Sequence, residues 1–94
     1  MDFEEMRGHV LEEMAERNER VLKRFFCRIN YKGIVGYENK LGKHVFVVYT
    51  DRPGFLIGKG GENANILKEI LKKEFEYDYT LEFKEIRGKM LVIV

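Results

Sequence analysis

The stretch Ile57-Gly58-Lys59-Gly60-Gly61-Glu62-Asn63 sets three glycines around one lysine, with no carboxylate between the glycines. An apolar triplet, Phe55-Leu56-Ile57, precedes it, and an amphipathic segment begins at Glu62. The first N–H groups of a helix have no internal partner and point outward. Together with the helix dipole they favour an anion. Glycine has no side chain, so a phosphodiester can come close to the main chain. Lys59 adds a mobile positive charge at the tip. These residue types at this spacing suit the holding of a sugar-phosphate backbone. Four residues of the form Gly-x-x-Gly could equally serve a plain turn. The context favours the site: an apolar strand, then Asp51-Arg52-Pro53-Gly54, three apolar residues, the loop and a helix.

Other chemistries find less support. A Walker loop needs Gly-x-x-x-x-Gly-Lys followed by Ser or Thr. Here three residues separate Gly54 from Gly58, and Lys59 is followed by Gly60. His9 falls on an acidic segment and His44 at a strand start, neither with a partner that spacing identifies. The single Cys27 alternates with Phe25 and Ile29, which predicts a buried, inert thiol. One cysteine makes neither an internal disulfide nor a four-ligand zinc site. No catalytic residue, metal or cofactor is expected.

Around the loop, hydropathy periods predict the elements. Phe3, Met6, Val10, Met14 and Val21 recur at helical spacing, so residues 2 to about 23 form an amphipathic helix that Arg17 interrupts. Phe25, Cys27, Ile29 and Tyr31 alternate with Phe26, Arg28, Asn30 and Lys32, as in a half-buried strand. Gly33 and Gly36 predict a bend or bulge, and Asn39-Lys40-Leu41-Gly42 a hairpin turn. His44 to Tyr49 is apolar on both faces, the pattern of a central strand. Glu62 to about Phe75 is a second helix. Ala64, Leu67, Leu71 and Phe75 share one face while Ile66 and Ile70 flank it, which predicts contact with both a sheet and the N-terminal helix. Tyr79, Leu81 and Phe83 mark another strand. Arg87-Gly88 would turn into a last strand at Met90 to Val94. The expected fold class is α+β, with helices packed on one face of a three- to four-stranded mixed sheet. The strands flanking the helix pair are expected as parallel neighbours.

Length and charge bound the rest. Ninety-four residues make one domain with a thin core. With 45% hydrophobic and 35% charged residues the chain is globular, not disordered. No apolar run reaches membrane-spanning length, and the acidic start lacks a signal-peptide pattern, so a cytoplasmic protein is expected. The formal charge of +1 conceals an asymmetry. Residues 1–19 carry seven acids and two arginines, a net of −5; residues 20–61 carry nine bases and two acids, a net of +7. A basic middle favours an anionic partner through its local field. The five tyrosines and seven phenylalanines mostly alternate along strands, where core or sheet surface is their expected use.

The run Thr50 to Leu67, with Pro53-Gly54, two apolar residues, Ile57-Gly58-x-x-Gly61, Ala64 and Leu67, resembles the core of the KH domain. The likeness is to type II KH domains, as in the third protein of the bacterial small ribosomal subunit and in Era-type GTPases. It covers roughly residues 2–86 in outline and 43–75 in motif detail. On this reading residues 1–94 are one domain. Residues 1–37 supply the N-terminal helix and strand, 43–86 the strand-helix-helix-strand core, and 89–94 an added C-terminal strand. Ala64 stands where the family prefers a larger aliphatic residue.

The resemblance implies binding of about four nucleotides of single-stranded RNA or DNA, RNA in preference to DNA. Gly58, Lys59, Gly60 and Gly61 would clamp the sugar-phosphate backbone. Ile57, Asn63 and Leu67 would border an apolar groove under the bases, facing the strand around Leu81 to Phe83. Arg52 and Lys59 would supply most local positive charge, with Lys68 secondary. Weak, salt-sensitive binding follows from so few phosphate contacts. The alternative is a KH-fold scaffold that associates with a protein or with its own copy. On that reading Val45, Val47 and Tyr49 face the helices, while Phe46 and Val48 stand on an open sheet face.

Overall fold

The computed structural model describes residues 3–33 and 35–86, and side chains from Met14 onward. The order of elements is α1 (Phe3–Ile29), β1 (Val35–Lys40), β2 (Val45–Thr50), α2 (Pro53–Ile57), α3 (Glu62–Phe75) and β3 (Thr80–Glu85). The three strands form one mixed sheet in the order β1-β2-β3. β1 and β2 are antiparallel, with Val35 opposite Thr50 and Lys40 opposite Val45. β2 and β3 are parallel, with Val45 beside Thr80 and Thr50 beside Glu85. The α+β class and the parallel pairing across the helix pair are therefore as expected. No helix among the described residues is long and apolar enough to cross a membrane. The expected turn at Arg87-Gly88 and the strand at 89–94 lie outside the described residues.

The expected strand at Phe25–Tyr31 is instead the last part of α1. Val21, Leu22, Phe25 and Ile29 repeat at three and four residues, and the first three are buried. A short apolar window satisfies both periods, and packing on the other helices selects the helical one. Cys27 then falls on the outer surface and is exposed, which corrects its expected burial. Asn30 stops the helix. It takes a positive φ of 54°, its N–H donates to the Cys27 carbonyl at 3.4 Å, and the Tyr31 N–H donates to the Phe26 carbonyl at 2.9 Å. This is the Schellman arrangement, with asparagine in the place glycine more often takes. The hairpin exists, but a 3-10 turn at Leu41–Lys43 and His44 connect it, two residues later than the turn expected.

One core lies between the sheet and the helices. It gathers Val21, Leu22 and Phe25 of α1, Leu56 of α2, Leu67, Ile70, Leu71 and Phe75 of α3, and Phe46 and Val48 of β2. The expected facing of β2 is thus reversed. Phe46 and Val48 point at the helices, and Val45, Val47 and Tyr49 lie on the opposite face with Glu38, Glu82 and Lys84. Tyr37 stacks on Phe46 at 5.9 Å between centroids, and Asn39 Nδ2 donates to Asn18 Oδ1 at 2.9 Å, which joins β1 to α1.

Arg17, the break in the apolar stripe, has a partner. Its Nε lies 3.1 Å from Glu74 Oε1, a terminal nitrogen donates to the Glu74 carbonyl, and the guanidinium sits 4.5 Å over the Phe75 ring. Arg20 reaches the same carboxylate oxygen at 3.1 Å. Carbonyls near a helix C-terminus lack internal donors, and a cation there complements the dipole.

Candidate functional site

Thr50 closes β2 with its hydroxyl fully buried. Its Oγ1 accepts from the Arg52 N–H at 3.0 Å, a local turn that redirects the chain into α2. Pro53 opens α2, where its fixed φ suits a first helical position. The helix is a single turn of five residues, and Gly58 ends it by donating its N–H to the Gly54 carbonyl at 3.0 Å. Three successive apolar residues on a helix spread over about 200° and cannot all face inward. Leu56 is buried, whereas Phe55 and Ile57 are 48% and 37% exposed.

The loop uses its glycines for distinct reasons. Gly58 has φ 80° and ψ 169°, a region open essentially to glycine alone. A Cβ there would sit 2.9 Å from the Asn63 backbone nitrogen. Gly60 and Gly61 lie near the left-handed helical region at φ 65° and 79°, and a Cβ on either would meet nothing within 4 Å. Space for a ligand therefore stands open beside them. The Gly61 N–H donates to the Gly58 carbonyl at 3.1 Å, while the amides of Lys59 and Gly60 find no acceptor among the described residues. Asn63 straps the loop: its Nδ2 donates to the Phe55 carbonyl at 2.9 Å.

The geometry brings Ile57, Gly58, Lys59, Gly60, Gly61 and Asn63 together at the α2–α3 junction, whereas Arg52 stands at the other end of α2. Arg52 and Lys59 are exposed, and neither has an ion-pair partner among the described residues. Lys68 is exposed but lies seven positions beyond Gly61, about 10 Å along α3. Leu67 does not join the surface. It is 0% exposed and packs in the core, which corrects its expected place on the groove wall. Leu81 and Phe83 are half-buried on the helix side of β3, the edge strand beside α2.

Phe55 is the residue that sequence reasoning passed over. Its ring lies 5.7 Å from Tyr31, which in turn packs 5.3 Å from Phe26. The Tyr31 hydroxyl donates to Asp51 Oδ1 at 3.3 Å. The end of α1 is thereby tied to the corner that leads into the loop. The 200° spread of the apolar triplet was the available signal.

A family model described as KH domain matches residues 16–90. The chain belongs to the KH domain family. Its helix before the first strand, followed by the strand-helix-helix-strand core whose two strands pair in parallel, is the type II arrangement. Small ribosomal subunit protein uS3 of Methanobrevibacter smithii is 37% identical over 71 residues, which is 74% of this chain and 28% of that protein. The uS3 protein of Maridesulfovibrio salexigens is 39% identical over 46 residues, 49% of this chain and 22% of that protein. That of Pelagibacter ubique is 38% identical over 50 residues, 53% and 22% respectively. The match spans between a fifth and a third of the length of these relatives. In this KH domain the Gly-x-x-Gly loop is the Gly58–Gly61 turn between α2 and α3.

Proposed function

We propose that this KH domain is a non-enzymatic module that binds single-stranded nucleic acid, RNA in preference to DNA. The Gly58-Lys59-Gly60-Gly61 loop holds the sugar-phosphate backbone. One observation carries the reading: the Lys59 and Gly60 amides have no acceptor among the described residues, at a point where Gly60 and Gly61 leave open space. A phosphate oxygen supplies the acceptors those amides lack. Lys59 adds charge within the α2–α3 turn, and Arg52 adds charge at the start of α2. Ile57 and Phe55 offer apolar surface for bases, and aromatic faces stack bases of any sequence. Asn63 shapes the loop from behind. The likeness to ribosomal proteins supports RNA as the ligand class. Attachment to a ribosome does not follow from it, since most of each relative has no counterpart in the matched segment.

The scaffold alternative loses its main support, because Phe46 and Val48 pack into the core. Exposed large apolar side chains among the described residues are Leu41, Phe55, Ile57 and Tyr77, none of them on the outer face of the sheet.

The test is a titration of labelled degenerate tetranucleotide pools, RNA and DNA, at low and moderate salt. Saturable binding that weakens with salt, is stronger for RNA, and drops at least tenfold in Gly60→Asp is expected. The variant places a carboxylate where a phosphate would sit. Equal binding by wild type and Gly60→Asp, with both folded by circular dichroism, would overturn the loop as the grip.

A further inference from the structure

Arg17, Arg20, Arg24 and Arg28 are spaced by three, four and four residues, so they form one stripe along α1. The first two bind Glu74 in the last turn of α3. At the other end, Tyr31, which packs on Phe26, reaches Phe55 of α2, whose carbonyl is held by Asn63 in the first turn of α3. These two anchors set α1 broadly antiparallel to α3. From Arg17 to Arg28 is eleven positions, and from Glu74 back to Asn63 is also eleven, each about 16 Å. Arg28 therefore lies level with the start of α3, and Arg24 one turn behind it.

The two halves of the stripe differ in their partners. Glu74 satisfies Arg17 and Arg20, whereas Arg24 and Arg28 are exposed and have no ion-pair partner among the described residues. Glu62 and Glu69, the exposed acids of α3 nearest that level, pair with neither. Lys32 and Arg52 are likewise exposed and unpaired among the described residues at this end of the molecule, and Asp51 is engaged by the Tyr31 hydroxyl. Exposed Phe55 lies between the loop and the end of α1. Unmatched guanidinium groups and an exposed aromatic face at the same end of the molecule suit a single-stranded polynucleotide, with phosphates on the arginines and a base on the ring.

We propose that Arg24 and Arg28 form a second phosphate rail, which extends the nucleic-acid surface from the loop onto the C-terminal end of α1. A strand that leaves the loop crosses Phe55 and continues along these arginines. The KH groove holds about four nucleotides, so the rail acts only on longer strands. It rests on the reading of the loop as a nucleic-acid grip.

Binding of degenerate four- and ten-nucleotide RNA pools is measured against salt for the wild type and for Arg24→Gln/Arg28→Gln, with Lys43→Gln as the control. Lys43 is also exposed and unpaired among the described residues, but sits at the opposite end of β2. For the decamer, the slope of log affinity against log salt becomes shallower by about 1.4 in the double variant, at about 0.7 for each phosphate no longer neutralised. The tetramer slope stays unchanged, as do both slopes in Lys43→Gln. An unchanged decamer slope in the double variant overturns the rail, and so does an equal change for both lengths. If the wild type binds neither pool, the loop reading fails first and the rail falls with it. Failure of the rail alone appears as intact tetramer binding with a decamer slope insensitive to the arginines.

Discussion

Gly58 and Gly60 both require positive φ, yet they meet different surroundings. At Gly58 the backbone adopts a conformation that L-residues scarcely enter, and the Asn63 main-chain nitrogen would lie only 2.9 Å from a Cβ. At Gly60 and Gly61 the strain is that of the left-handed region alone, about 1–2 kcal/mol per residue. Gly58→Ala is therefore expected to lower stability by about 3 kcal/mol, and Gly60→Ala and Gly61→Ala by about 1 kcal/mol each. Urea denaturation of the three variants gives the ranking; equal losses would show that the closeness of Asn63 does not matter. The presence of this loop was legible in the sequence, since glycine spacing and a following amphipathic run are local signals. The strap from Asn63 to Phe55 was not. It joins residues eight apart across a turn whose geometry had to exist before the bond could be seen.

At the scale of elements, α3 and β3 follow patterns that a single period explains. The region after Val21 does not. Phe25, Cys27, Ile29 and Tyr31 fit a period of two, while Val21, Leu22, Phe25 and Ile29 fit a helix, and local pattern alone does not choose. The core chooses, because a continued α1 places Val21, Leu22 and Phe25 against α3 and the sheet. Asn30 was the usable stop signal, as a residue that tolerates positive φ at a helix end. A direct consequence concerns Cys27. On a strand it would alternate into the core; on α1 it is exposed. The folded chain is expected to react with a thiol reagent at a rate within a few-fold of the unfolded chain. Cys27→Ala should shift stability by no more than about 0.5 kcal/mol, as an exposed helix position replaced by a good helix former. Slow labelling that needs global unfolding would return Cys27 to the core.

For the whole molecule, the packing of α1 on β1 sets a response to alkali. Tyr37 on β1 has its hydroxyl pKa raised above 10.0, first by burial and then by the negative charge of Glu19, against a smaller lowering by a hydrogen bond with Asn18. The fold thus favours the neutral phenol. That preference stabilises the protein fully below the unfolded value and is lost as pH rises through the higher folded value. Urea midpoints measured across the alkaline range should fall less steeply for Tyr37→Phe than for wild type; parallel curves would remove Tyr37 from the effect. The sequence alone determined the family and the glycine loop at a helix start, because these depend on neighbours a few residues apart; the parallel strands about a helix pair followed from the handedness of such crossovers. Tertiary structure decided the length of α1, the facing of β2, the withdrawal of Leu67 into the core and the pairing of the arginine stripe with the end of α3. Each depends on which surfaces far apart in the chain exclude water from one another, and that choice is made by the assembled core.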